Sequence, residues 1–135
     1  MFLLDTNIIS ELRKAKPHGG VLAWYRGQQM DRLFLPAVAF YELQAGVELT
    51  RMQDAVKAQE LEWWVDGLPA NFQVLPFDQK AARLTGKLMH NQSPHLFEDA
   101  MIAAIALANS LVVVTRNTRD FSRFPVAVLN PFVTA

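Results

Sequence analysis

The stretch AMIAAIALANSLVVV, from Ala100 to Val114, decides the architecture of this chain. It is almost wholly apolar, but Asn109-Ser110 breaks it, and it is shorter than the ~20 residues that span a bilayer. The break divides it into a buried helix and a buried strand. Leu111–Val114 is apolar at every position, the pattern of a central strand covered on both faces by helices.

Outward from there, short runs of β-branched or bulky residues recur at Phe2–Leu4, Leu33–Leu35, Phe72–Leu75, Leu111–Thr115 and Val126–Leu129. Helical patterns fill the intervals at Asn7–Arg13, Gly20–Gln29, Ala37–Leu49, Met52–Leu68, Asp78–His90 and Asp99–Ala108. In Asp78–His90 the residues Ala81, Leu84, Thr85, Leu88 and Met89 form a stripe of helical period. Strands that alternate with helices pair in parallel, because each crossover takes a dozen or more residues and is almost always right-handed. The expectation is an α/β fold, a three-layer α/β/α sandwich around a mainly parallel sheet of roughly five strands. Ligands of such sheets bind beyond the C-terminal ends of the strands.

Half of the 135 residues are apolar, enough for one domain with its own core, so a single unit over residues 1–135 is expected. No repeat, low-complexity tract or linker interrupts it. Without cysteine there is no disulfide and no thiolate metal site, which suits a cytoplasmic location. The N-terminus has no basic region, and Asp5 interrupts its apolar run too early for a signal peptide. Thirteen basic and thirteen acidic residues cancel, so any nucleic-acid binding has to come from a local arrangement.

The acids fall where acids are costly. Asp5 follows the first strand directly; taken alone it is a helix N-cap. Glu42 is the only charge in PAVAFYELQAGV, with no local cation to pair with it. Asp99, preceded by Glu98, opens a very apolar helix, where the helix dipole favours an anion. Asp120 closes VVVTRNTRDF just past a strand, with Thr115 and Asn117 between; an Asx-turn in a polar loop accounts for it singly. One shared pocket at the strand ends accounts for all four.

Carboxylates gathered in one pocket repel, at roughly 3 kcal/mol for two charges ~5 Å apart at an effective dielectric of 20. A cation or bound protons must offset this. Oxygen donors without cysteine or chelating histidine pairs select a hard ion, Mg²⁺ or Mn²⁺. Such an ion activates water and holds a phosphate oxygen, so hydrolysis of a nucleic-acid phosphodiester is the chemistry expected. His18, His90 and His95 lack any HxxxH or HxH spacing, which argues against zinc.

Three segments, LLDTNIISEL, YELQAGVE and DAMIAAIALANSLVVVTRNTRDF, together resemble the PIN domain and, within it, the VapC and FitB-like toxins of toxin–antitoxin pairs. The resemblance runs from Met1 to Phe132. It implies a Mg²⁺- or Mn²⁺-dependent endoribonuclease acting on RNA, with Asp5, Glu42, Asp99 and Asp120 as its catalytic and metal-binding acids. Thr115 and Asn117 match the auxiliary polar positions, and Thr6 and Asn7 the supports of the opening motif. Where that family often carries Ser or Thr three residues before the Glu, this chain has Ala39, so no hydroxyl contact is expected there. The resemblance also implies a homodimer and a cognate antitoxin whose tail covers the acidic site, giving a toxin–antitoxin hetero-oligomer; no membrane partner is implied.

Two other readings of the acids stay open at this level. An aspartyl-phosphate phosphatase would use Asp5 as nucleophile, but it wants a second acid two residues on, where Asn7 stands. A binding module would use the acidic pocket only to dock a partner's Arg. Among the remaining features, Trp24-Tyr25 and Trp63-Trp64 are adjacent on helices and so cannot both face the core fully. Arg116, Arg119 and Arg123 put positive charge beside Asp120, for RNA phosphates or for the domain's own acids.

Overall fold

A computed structural model of the chain describes residues 1–133; Thr134 and Ala135, the last two residues of the expected domain, lie outside the described residues. Strands β1 (Phe2–Leu4), β2 (Leu33–Pro36), β3 (Gln73–Leu75), β4 (Val112–Val114) and β5 (Val128–Leu129) form one sheet in the order β3-β2-β1-β4-β5. Every neighbouring pair is parallel, with Leu3 opposite Phe34 on one side and Val113 on the other. The helices are α1 (Thr6–Arg13), α2 (Gly19–Arg26), α3 (Ala37–Arg51), α4 (Ala55–Asn71), α5 (Gln79–Leu88), α6 (Phe97–Ala108) and α7 (Thr118–Phe121).

Side chains of period two divide between the two faces of the sheet. Leu3, Phe34 and Val113 pack with Ala81 of α5, the buried face of α6 and Phe121 of α7. Leu4, Leu33, Leu35 and Val114 pack with Ile8, Ile9, Val21, Leu43, Val47 and Val65 from α1 to α4. The three expected layers are therefore present. α6 carries the heaviest burial: Ala100 and Ile102 through Ala106 have no exposed surface, as the apolar stretch requires.

Several boundaries differ from the sequence reading, each for a local reason. The central strand is β1; β4 lies beside it, is flanked by β5, and keeps Val112 half-buried. α4 runs past Leu68 through Pro69 to Asn71, because a proline in the last turn removes only one donor of the helix ladder. α2 stops at Arg26, and a single 3-10 turn at Met30–Arg32 leads into β2. α7 replaces the loop expected around Asp120 with one helical turn. Trp63 is exposed beside a half-buried Trp64, whereas Trp24 and Tyr25 share the half-buried condition. Among the described residues no helix is long and apolar enough to cross a membrane.

The strand order reverses direction between β1 and β4, the position where the C-terminal ends of a doubly wound sheet open a crevice. Asp5 follows β1 and Thr115 follows β4. Their segments meet there, with the Asp5 N–H donating to Val114 O at 2.9 Å.

Candidate active site

Asp5 is the N-cap of α1, as its sequence position suggests, and it is 5% exposed. One carboxylate oxygen accepts from the Thr6 N–H at 2.8 Å; the other accepts from Thr115 Oγ1 at 2.8 Å and Asn7 Nδ2 at 3.2 Å. Burial pushes the Asp5 carboxyl above the usual range, and these three donors partly offset it. Capping and site membership thus coexist in one residue.

Thr115 is fully buried and works in two directions, since its Oγ1 donates to Asp5 and accepts the Asn117 N–H at 2.9 Å. Asn117 in turn donates from one amide nitrogen to Asp99 Oδ2 at 3.0 Å and to Asp120 Oδ2 at 3.1 Å. Asn7 ties the two strand ends together a second time, accepting the Arg116 N–H at 3.2 Å. The sequence singled out Thr115, Asn117, Asp5 and Asp120 individually; the structure links them into one hydrogen-bonded frame.

Asp5, Thr6, Asn7, Ser10, Glu42, Glu98, Asp99 and Asn117 line a cavity of about 310 Å³. Three of the four predicted acids face it. Asp120 stands at its margin and is joined to it through Asn117. Glu98 is the member that sequence reasoning treated only as the neighbour of Asp99. Ser10 was missed as well, although four residues after Thr6 it must share that helical face.

Among the described residues no Lys or Arg lines the cavity. The half-buried Glu42 carboxyl is pushed up to about 7, first by desolvation, then by the Glu98 carboxyl that faces it and by Asp5. Asp99 is also pushed up to about 7, by desolvation and by Asp5, Asp120 and Glu98. Thr6 Oγ1, buried and without a full hydrogen-bond partner, lies toward Glu42 and slightly favours its charged form. Ala39 is buried in the core below Glu42 and offers no hydroxyl.

The donor set is oxygen throughout, carries excess negative charge and has no cationic side chain against it, which fits a hard divalent ion. Among the described residues, no three acidic or histidine side chains are drawn together closely enough to hold an ion as they stand. The Glu42 and Glu98 carboxyls nevertheless face each other, and Glu42 and Asp99 are raised by burial and by the neighbouring acids, the effect expected of carboxyls gathered without a counter-charge. The arginines beside Asp120 are exposed and, among the described residues, form no ion pair with the domain's acids.

The sequence profile of the PIN domain matches residues 2–127. The chain belongs to the PIN domain family. A VapC ribonuclease Y4jK of Sinorhizobium fredii is 37% identical over the whole of both chains. Toxin FitB of Neisseria gonorrhoeae is 36% identical, covering 98% of this chain and 99% of its own. The solved structure of FitAB bound to an IR36 DNA fragment superposes with a TM-score of 0.87 at 31% identity, covering 100% of this PIN domain and 98% of that chain. The five-stranded parallel architecture is therefore that of the family.

Proposed function

We propose that this PIN domain is the toxin of a toxin–antitoxin pair and a metal-dependent endoribonuclease. The observation that carries the reading is the cavity at the sheet's switch point, where Asp5, Glu42, Glu98 and Asp99 converge with no cationic side chain among them. Relatives named as a VapC ribonuclease and as Toxin FitB, matched over essentially the full chain, support the same activity, and the likeness to the FitAB complex supports the partner. They favour hydrolysis of an RNA phosphodiester over the monoester-phosphatase and binding-module alternatives.

In this reading Asp5, Glu42 and Asp99 would hold the ion, with Asp120 contributing through its link to Asn117; Mg²⁺ is the ion expected and Mn²⁺ also suits these donors. Such an ion, when bound, supplies charge neutralisation and an activated water for phosphodiester hydrolysis. The chain's own work is positional. Thr115 and Asn7 fix the Asp5 carboxylate; Asn117 holds one oxygen each of Asp99 and Asp120 and so ties the two acids together. Burial and the neighbouring acids push Glu42 and Asp99 up to about 7, and a cation held there would favour their charged forms. A cognate antitoxin is the partner, and a toxin homodimer within a hetero-oligomer is the assembly.

The test is cleavage of an RNA panel with Mg²⁺ or Mn²⁺, with EDTA, and with Asp5→Asn. Cleavage that needs the ion and disappears in Asp5→Asn is expected. Cleavage retained in that variant sinks the assignment.

A further inference from the structure

The acidic cavity continues past Glu42. Thr6, Ser10 and Glu42 also form one end of a second cavity, about 290 Å³, between α1, α3 and α4, whose walls include Arg13, Gly46, Thr50 and Trp64. That volume is at the lower end of small-ligand sites. Arg13 is exposed, lies 5.8 Å from the Trp64 ring centroid and, among the described residues, has no ion-pair partner. Trp64 is half-buried, with part of its indole open to the groove. Gly46 sits inside α3, where a Cβ would meet nothing within 4 Å, so neither packing nor backbone conformation calls for glycine there. Glycine weakens a helix interior relative to alanine. What it provides at this position is open space beside Trp64.

We propose that this groove holds the nucleotide adjoining the scissile phosphate of an RNA strand, with Trp64 against the base and Arg13 on the neighbouring phosphate. The inference rests on the ribonuclease reading above. A strand that brings one phosphate to Asp5 and Asp99 must seat the next nucleotide within one repeat of its backbone, and the groove opens directly from Glu42. A guanidinium that stands over an aromatic ring and has no carboxylate partner among the described residues is a combination that single-stranded nucleic acid uses, with phosphate on the cation and base against the stacked pair. A protein segment carrying a cation toward the acids would pass Arg13 with like charge. A second such pair follows β4, with Arg116 4.6 Å over the Phe132 ring and the Arg116 backbone N–H donating to Asn7, a residue of the acidic cavity.

The test is fluorescence anisotropy with a labelled oligoribonucleotide and Mg²⁺, on an Asp99→Asn background that prevents cleavage. Added to it are Gly46→Leu, Arg13→Gln and, as a control on the far layer, Gly86→Leu, another helical position with nothing within 4 Å of a built Cβ. Gly46→Leu is expected to weaken binding about tenfold, the scale of a lost base–aromatic contact, without lowering the melting temperature. Arg13→Gln is expected to weaken it and to reduce the salt dependence by about 0.7 in the logarithmic slope, the single-strand value for one phosphate. Gly86→Leu leaves both unchanged. Undiminished affinity in Gly46→Leu and Arg13→Gln, with the parent binding normally, overturns the groove assignment alone. A parent that binds no RNA overturns the ribonuclease reading and the groove together. Loss of antitoxin affinity in Gly46→Leu with RNA affinity retained assigns the groove to the protein partner and overturns the proposal.

Discussion

The two sides of the acidic cavity are built on opposite principles. On the Asp5 side the carboxylate oxygens meet donors from Thr6, Thr115 and Asn7, and the charge is held by dipoles the fold supplies. On the Glu42 side the carboxylate faces Glu98, and Thr6 Oγ1 makes no full hydrogen bond to it. The first side is met largely by the protein's own donors, although burial still raises Asp5. The second is stable only with a proton or a cation, and that contrast is the physical content of the site.

Glu42→Gln should separate the two sides most sharply. RNA cleavage falls by more than about a hundredfold, beyond the usual effect of an outer partner. The metal-free protein melts no lower, because one member of a repelling pair is gone. Thr115→Val has the opposite balance. Activity falls by about 10–100-fold as Asp5 loses its orientation, and the melting temperature also falls, because a buried carboxylate left short of a donor costs about 1–3 kcal/mol. Cleavage assays and thermal melts on both variants check this; if the two variants shift stability in the same direction, the contrast fails.

A smaller effect is expected from pH alone. Glu42 and Asp99 hold protons up to about 7 when folded, against ordinary values of 4.5 and 3.8. The folded state therefore binds these protons more tightly than the unfolded chain. Their contribution to stability is full below the ordinary values and is lost as pH rises through about 7. Glu11 and Glu48 have the opposite sign, but their lowered values place their effect at more acidic pH. The EDTA-treated protein should melt higher near pH ~5.5 than near pH ~8, and Mg²⁺ should narrow the difference by raising the upper value. A melting temperature that climbs over that range without metal contradicts the electrostatics.

Much of this was legible in the residues. The uninterrupted apolar run Leu111–Val114 and the break at Asn109-Ser110 predicted a parallel, doubly covered sheet, and Glu42 stood out as a charge in an apolar helix. Contacts between distant segments were not legible. Thr115 and Asp5 are hydrogen-bonded across 110 positions, and only the adjacency of β1 and β4 brings them together. Glu98 was hidden because one turn of helix directs it to the same cavity as Asp99, and a sequence neighbour reads as a cap. Asp120 was read as one of the four site acids; that a short helical turn carries it and that Asn117 bridges it to Asp99 was not legible.

Calorimetric titration of Mg²⁺ into the metal-free protein near pH ~6.5, repeated in buffers of different ionisation enthalpy, counts the protons released on binding. Saturable binding with net proton release is expected, with less release in Glu42→Gln. Absence of binding, or binding with no proton released, contradicts it.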